Sequence, residues 1–218
     1  VSIPSSQVEI EFAAPPVPFA ELLWRQVGEP LVALLILLIL SPVLCLVATL
    51  VALEREGGVF FAQERIGLNG RRFRIFKFRT MVHDAESSGP AISQSYDDPR
   101  ITPLGRVLRR AKIDELPQLI NVVRGEMALV GPRPERPHFH EQFRSIPGWE
   151  RRLSVKPGVT GLAQIDNRVG HDPVLKIAAD LIYIRNRSVA YDFKILGMTA
   201  SFLVKEISLL FCRARGSR

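Results

Sequence analysis

Residues 31–53 read LVALLILLILSPVLCLVATLVAL, 23 positions without a charge. As a straight helix the run covers roughly 30–35 Å, enough for a hydrocarbon core of about 30 Å. A soluble core helix seldom stays apolar on every face for so long, so the segment belongs in a membrane. Ser41-Pro42 sits near its centre. Proline removes a backbone donor and clashes with the carbonyl four residues earlier. Ser41 can bond back to a freed carbonyl, which makes a bend tolerable in lipid. Two readings stay open on the segment alone: a kinked spanning helix, which it favours, and a helix bent enough to return to the leaflet it entered. The flanks do not choose, because Arg25 and Glu29 on one side face Glu54-Arg55-Glu56 on the other.

Upstream, residues 1–20 carry Pro4, Pro15, Pro16 and Pro18 and read as a tail or linker. Residues 19–30, with Phe19, Leu22, Leu23 and Trp24, suit a short amphipathic interfacial helix. The 218 residues hold 29 Lys and Arg against 22 Asp and Glu, a net charge of +7. Residues 1–57 have two arginines against six glutamates, a net −4, which leaves +11 on the remainder. Such an excess points to an anionic partner: a membrane surface, nucleic acid or phosphorylated small molecules. A hydrophobic content of 47% excludes disorder for most of the chain. Cys45 and Cys212 are too few for a disulfide scaffold and fit a reducing compartment or burial in lipid. No secretory signal is expected, because the apolar run starts late and lacks a basic flank and a cleavage site.

After Gly57-Gly58 the pattern turns to short alternating runs. Residues 59–66 and 72–80 flank Gly67-Leu68-Asn69-Gly70, whose Asn-Gly pair signals a hairpin. Period-2 geometry puts Lys77 and Arg79 on one face, roughly 7 Å apart. With Arg65 they form a candidate diphosphate cradle, or else a solvated basic face over anionic headgroups. Residues 83–103, with Ser87-Ser88-Gly89-Pro90 and Asp97-Asp98-Pro99, read as a loop.

The stretch LRRAKIDELPQLIN, residues 108–121, carries the chemistry. Pro117 is tolerated only in a first helical turn, which predicts a helix beginning near Asp114–Leu116. A helix N-terminus stabilises carboxylates and binds phosphate. Asp114 and Glu115 beside Arg109, Arg110 and Lys112 suit metal-assisted phosphoryl transfer, with one carboxylate as nucleophile or base and another on Mg2+. On spacing alone plain N-capping by Asp114, with exposed charges around it, is the better account of the pair. In Gly131-Pro132-Arg133-Pro134 two prolines fix the backbone around an arginine, pre-ordering its fork for phosphate. His140-Glu141 begins a zinc-protease pattern, but Arg144 stands where its second histidine belongs. There is no P-loop or dinucleotide fingerprint. Lys156–Gln164 reads as a turn entering a short strand; Asp180 and Asp192 are metal, sugar or cap candidates. Residues 193–215 have helical apolar spacing and a basic end, as an interfacial helix does.

In order, the motifs are FFAQERIG, RIFKFRTM, LRRAKIDELPQL, VGPRPE, VKPGVTGLAQ and the spaced Asp180 and Asp192, behind an apolar Ser-Pro segment. This order resembles the bacterial sugar transferase family, the monotopic polyprenyl-phosphate phosphoglycosyl transferases, over about residues 25–205. The resemblance implies an enzyme that passes a phosphosugar from a UDP-sugar to undecaprenyl phosphate and releases UMP. It implies a ping-pong course through an ester on Asp114, with Mg2+ on Glu115, and the start of a surface glycan. Arg133 and Arg109 would hold phosphate, with Arg65, Lys77, Arg79, Asp180 and Asp192 as further site candidates. It also implies that Ser41-Pro42 makes the membrane helix re-entrant, with both ends cytoplasmic.

The expected fold is therefore α/β and mainly helical: a monotopic membrane protein with a re-entrant helix, a β-hairpin and interfacial amphipathic helices. The expected organisation is a tail over 1–24, a re-entrant helix over 25–56 broken at Ser41-Pro42, and a catalytic domain over 57–218. Its place would be the bacterial cytoplasmic membrane with the catalytic domain on the cytoplasmic face, working on the lipid bilayer without nucleic acid, and a homo-oligomer is compatible with it. Asp166–Asp172 departs from the Asn-Gly-Arg-Asn of many relatives, and Lys112 stands where serine is common. Two other classes compete: a non-catalytic membrane-surface module, for which Asp114 and Glu115 are dispensable, and a Mg2+-dependent phosphohydrolase, which needs no acceptor.

Overall fold

The computed structural model describes residues 18–54, 57–85, 98–165, 169 and 172–216, with side chains described through residue 208. The Pro-rich residues 1–17, the segment 86–97 and most of 166–171 lie outside the described residues. Among those described, the order is helix, hairpin, a run of short helices around a two-stranded parallel sheet, and two closing helices.

The apolar segment is one helix of 35 residues, Phe19–Leu53. It comprises α1 (Phe19–Leu23), a π turn (Trp24–Gly28) and α2 (Glu29–Leu53). The interfacial helix expected over 19–30 is thus the start of the membrane helix itself. A Cβ on Gly28 would lie 2.4 Å from the Trp24 ring, so the wide turn needs glycine there. Pro42 lies inside α2 without ending it, and Ser41 Oγ donates to the Leu38 carbonyl at 2.8 Å. The expected break is therefore not an interruption of the helix. The serine offers a carbonyl near the proline the partner that the ring removes.

Most of α2 is exposed leucine, isoleucine and valine, including Leu31, Leu35, Leu38, Ile39, Val43 and Leu46. Only its two ends are covered. Near the N-terminal end Ala33 joins a core with Ile75, Leu119, Val122, Met127, Val130, Tyr183 and Ile195. Near the C-terminal end Val47 and Val51 pack on Phe78 and Leu108. The polar flanks bind the same domain. Glu29 accepts from the Leu129 N–H at 3.0 Å, and Arg79 donates to the carbonyls of Val51 (2.7 Å) and Gly58 (2.6 Å).

The hairpin pairs β1 (Phe60–Ile66) with β2 (Arg72–Phe78) in antiparallel register, Phe60 opposite Phe78 and Ile66 opposite Arg72. Asn69 (φ 54°) and Gly70 (φ 76°) supply the left-handed turn that the Asn-Gly pair predicts. Next come α3 (Pro103–Arg110), capped by Thr102, a 3-10 turn (Ile113–Gln118) and α4 (Leu119–Val123). From α4 the buried Asn121 bonds β2 like a neighbouring strand. Its amide donates to the Arg74 carbonyl (2.7 Å) and accepts from the Phe76 N–H (3.2 Å).

Strand β3 (Ala128–Val130) runs parallel to β4 (Gly158–Thr160), with α5 (Pro137–Phe143) and a 3-10 turn (Glu150–Ser154) between them. The expected short strand within residues 156–164 is β4. A Cβ on Gly158 would meet the Gly131 nitrogen at 2.0 Å, so the two backbones touch there. The chain closes with α6 (Leu162–Ile165), α7 (Pro173–Asn186), capped by Asp172, and α8 (Val189–Gly216). Exposed Phe193, Met198, Val204 and Ile207 on α8 agree with the apolar spacing read from residues 193–215.

Arg79 ties the end of the membrane helix to the hairpin with two charge-assisted bonds. Arg79→Met should cost roughly 3–6 kcal/mol of stability, since each of the two bonds contributes about 1.5–3 kcal/mol. Arg72→Met, which removes an exposed pair with Glu64, should cost less than about 1 kcal/mol. Denaturant unfolding of both variants in nanodiscs measures this, and equal losses would contradict the tie.

Candidate active site

Lys112 adopts a left-handed conformation (φ 57°) that ends α3 and turns the chain into the Ile113–Gln118 turn. Asp114 and Glu115 therefore lie in a 3-10 turn rather than in the first turn of an α-helix. Pro117, inside that turn, has no N–H to continue a regular ladder, and α4 begins only at Leu119. Five-residue α4 supplies little dipole, so the carboxylates depend on cations instead.

Those cations come from other elements. Lys77 of β2 donates to Glu115 Oε1 at 2.7 Å, and Arg133 Nη2 reaches the same oxygen at 2.6 Å. Arg133 Nη1 lies 3.4 Å from Glu115 Oε2 and donates to Gln164 Oε1 of α6 at 2.8 Å. The hairpin, the acidic turn, the Pro-Arg-Pro turn and α6 thus converge on one carboxylate. Asp114 is also buried, and its Oδ1 has no hydrogen-bond partner among the described residues.

The two acids respond differently to this field. Burial pushes Glu115 up, but Arg133, Lys77 and Lys112 together outweigh it and hold the carboxyl well below the usual range. Burial, then the neighbouring Glu115, pushes Asp114 up to about 6 against the pull of Lys77, Lys112 and Arg109. Burial lowers Lys77 to about 8, with Glu115 opposing. Arg65 falls to about 10 through burial and the nearby Arg133. Glu115 raises Arg133. Among these groups cations outnumber carboxylates, which leaves the site able to take a polyanion.

The other expected residues divide by location. Arg109, lowered by burial and raised chiefly by Asp114, donates through Nε to Thr80 Oγ1 at 2.7 Å. Arg65 donates to the Pro134 carbonyl (3.1 Å) and Gln63 Oε1 (2.6 Å), beside the arginine turn. Arg79 stays at the end of α2, with its guanidinium on the Val51 and Gly58 carbonyls. Asp180 accepts from Arg152 Nε at 2.6 Å. Asp192 accepts from Arg25 Nη1 at 2.8 Å, with the Tyr183 hydroxyl 2.9 Å from its other oxygen. Neither aspartate touches the Asp114–Glu115 pair; Asp192 belongs to the joint between membrane helix and domain. Sequence reading missed Gln164, Thr80 and Arg152. Gln164 and Thr80 lay inside motifs already singled out, whereas Arg152 lay in none.

Mg2+ takes one or two protein carboxylates and completes its shell with water and phosphate oxygens. No group of three metal-ligating side chains occurs among the described residues. The unpartnered Oδ1 of Asp114 next to Glu115 nevertheless supplies a donor set of that kind, so the residues present fit such an ion.

In the fold, the raised Asp114 carboxyl favours its neutral form. Its contribution to stability is therefore present below the usual aspartate range and is lost as pH rises through about 6. Asp114→Asn should melt higher than the unaltered protein at pH 8 in chelator, by roughly 1–2 kcal/mol equivalent, with the gap closing toward pH 4.5. Thermal melts at the two pH values check this; an unstable Asp114→Asn at pH 8 would contradict it.

Residues 20–206 match the family model described as Bacterial sugar transferase. A UDP-glucose:undecaprenyl-phosphate glucose-1-phosphate transferase of Escherichia coli (strain K12) is 42% identical over 183 residues, covering 81% of this chain and 39% of its own length. An undecaprenyl-phosphate N-acetylgalactosaminephosphotransferase of Aeromonas hydrophila, with UDP-N-acetylgalactosamine in its name, is 41% identical over 173 residues, 78% of this chain and 41% of that protein. The exopolysaccharide production protein ExoY of Sinorhizobium fredii is 38% identical over 203 residues, 87% of this chain and 85% of that protein. The chain spans about two fifths of the length of the first two.

Proposed function

The chain belongs to the bacterial sugar transferase family, and on that premise we propose that it transfers a phosphosugar from a UDP-sugar to undecaprenyl phosphate, starting a surface glycan. The observation that carries this is Asp114: a buried carboxylate with a bare oxygen, beside a second carboxylate already neutralised by Lys77 and Arg133. One acid keeps a bare oxygen, while its neighbour carries both cations on Oε1.

In the proposed first step an Asp114 oxygen attacks the sugar-bearing phosphorus of the donor. The bond from that phosphorus to the bridging oxygen breaks, and UMP leaves with the electron pair. The phosphosugar is then an ester on Asp114. In the second step a phosphate oxygen of undecaprenyl phosphate attacks the same phosphorus, and Asp114 leaves as carboxylate. The lipid carries the sugar through a diphosphate.

Each step pushes an anion onto an anionic phosphorus, so charge must be offset where it develops. Arg133, pre-ordered by two prolines and held by Gln164, offers a fork for the donor phosphates. Lys77, Arg109 and Arg65 surround the same space. Mg2+, held by Glu115 with Asp114 adjacent, would supply further neutralisation of the diphosphate. Arg79, Asp180 and Asp192 act at a distance from the phosphorus in this scheme.

We also read the membrane helix as re-entrant, with the tail before it and the catalytic domain after residue 56 on the cytoplasmic face of a bacterial inner membrane. The support is that Glu29 and Val51, near opposite ends of α2, are both buried on the same domain, while the Pro42-centred middle is bare. A spanning helix would place its two ends on opposite sides of the hydrocarbon, where one domain could not cover both. The acceptor's phosphate lies in the headgroup plane, so a domain seated on one leaflet meets it without lifting the lipid out.

UMP release from a panel of UDP-sugars, with Mg2+ and with or without undecaprenyl phosphate, tests the activity. Acceptor-dependent release with at least one donor is expected, and Asp114→Asn should lower it on the order of 10³-fold or more. Sustained turnover without acceptor, beyond one UMP per enzyme, would favour the phosphohydrolase, and full release by Asp114→Asn would remove Asp114 from its role. Topology is tested separately in a variant with Cys45 and Cys212 replaced. Single cysteines at Gln26 and Leu53 should both react with an impermeant thiol reagent from the cytoplasmic side; labelling from opposite sides would establish a span.

A further inference from the structure

The turn that carries Arg133 is held carbonyl by carbonyl. The Pro132 carbonyl accepts from the Gly158 N–H (3.0 Å) and the Glu135 carbonyl from the Ile66 N–H (2.9 Å). Between them, side chains take over: Arg65 bonds the Pro134 carbonyl at 3.1 Å, and Arg152 Nη2 bonds the carbonyl of Arg133 itself at 2.9 Å. Neither proline has an N–H with which the turn could brace itself internally, so its shape is imposed from outside.

Arg152 is fixed as few surface arginines are. Its side chain is 4% exposed, its Nε donates to the buried Asp180 at 2.6 Å, and its guanidinium lies 4.4 Å from the centre of the Trp149 ring. Trp149 is itself buried and donates its indole N–H to His140 Nδ1 at 2.9 Å. A guanidinium with a carboxylate on one edge and an indole on its face is fixed in orientation, and with it the direction of Nη2. That nitrogen points at the Arg133 carbonyl.

We propose that Arg152, oriented by Asp180 and Trp149, is a positioning residue that sets the backbone of Arg133 and so aims its fork at the reacting phosphates. The inference rests on the reading of Arg133 as a phosphate-holding residue. It gives Asp180 a role at one remove, through Arg152, without contact with substrate. Arg152→Lys keeps the charge but cannot bridge Asp180 and the Arg133 carbonyl together. A misplacement of about 1 Å at a reacting group costs up to about 100-fold.

The test is a double-mutant cycle on kcat/KM for the donor, in the full chain in nanodiscs. With Arg133 present, Arg152→Lys should lower kcat/KM roughly 10- to 100-fold, and in the Arg133→Ala background it should cost less than about 3-fold. Asp180→Ala should behave as Arg152→Lys does, and Asp180→Asn, which retains an acceptor for Nε but not the charge, should lose less than Asp180→Ala. Equal losses in both Arg133 backgrounds would overturn the inference, because a general loss of packing is indifferent to Arg133. Should Arg152→Lys fail to fold, Asp180→Ala takes its place in the cycle. If Arg133→Ala alone leaves kcat/KM unchanged, the reading of Arg133 fails, separately from the role of Arg152.

Discussion

One apolar helix is gripped at both ends by the same polar domain, and most of the structure follows from that grip. At the N-terminal end, Glu29 bonds the Leu129 N–H and Arg25 bonds Asp192, which neighbours the Tyr183 hydroxyl. That hydroxyl also lies 2.9 Å from the Val130 carbonyl, so the grip fixes β3. Three residues beyond Val130 stands Arg133. At the other end Arg79 grips Val51, and the next residue, Thr80, receives the Arg109 side chain. The anchor and the two proposed phosphate-holding arginines therefore share backbone. A buried ion pair is weak testimony for stability, but breaking one is costly, and that suits a joint that must keep one geometry.

The site itself solves a problem of charge. Two adjacent buried carboxylates repel, and burial disfavours both ionised forms. Lys77 and Arg133 settle on Glu115 and leave Asp114 as the strained member, unpartnered at Oδ1 and pushed up toward neutral pH. Strain of this kind weakens the fold and serves a nucleophile, since a carboxylate solvated by water or tightly paired attacks poorly. Cations beyond those needed for Glu115 remain for the diphosphate that the proposed reaction brings in.

Support for the arginines is layered. Arg133 touches Glu115 and Gln164, Arg152 touches Arg133, and Asp180 and Trp149 touch Arg152. Arg152, Asp180 and Trp149 are each more buried than the Arg133 they support. Through Glu29 and Tyr183 the apolar helix is joined by hydrogen bonds to β3, three residues before Arg133.

The sequence alone determined what depends on local or one-dimensional pattern. Twenty-three uncharged residues mean lipid, Asn69-Gly70 means a hairpin, and Pro-Arg-Pro means a stiff turn, because each follows from backbone sterics or from transfer out of water. The ordered motifs gave the family, and with it the proposal of Asp114, Glu115 and Arg133 as site residues. Tertiary structure decided partnerships. Lys77 and Arg79 lie two positions apart, yet one meets Glu115 and the other caps the membrane helix, since the strand ends between them. Asp180 and Asp192 look alike in sequence but serve different arginines, Arg152 and Arg25. Arg152 itself had no motif to announce it. A charge's role depends on what lies within about 4 Å across the fold, and no spacing along the chain encodes that distance.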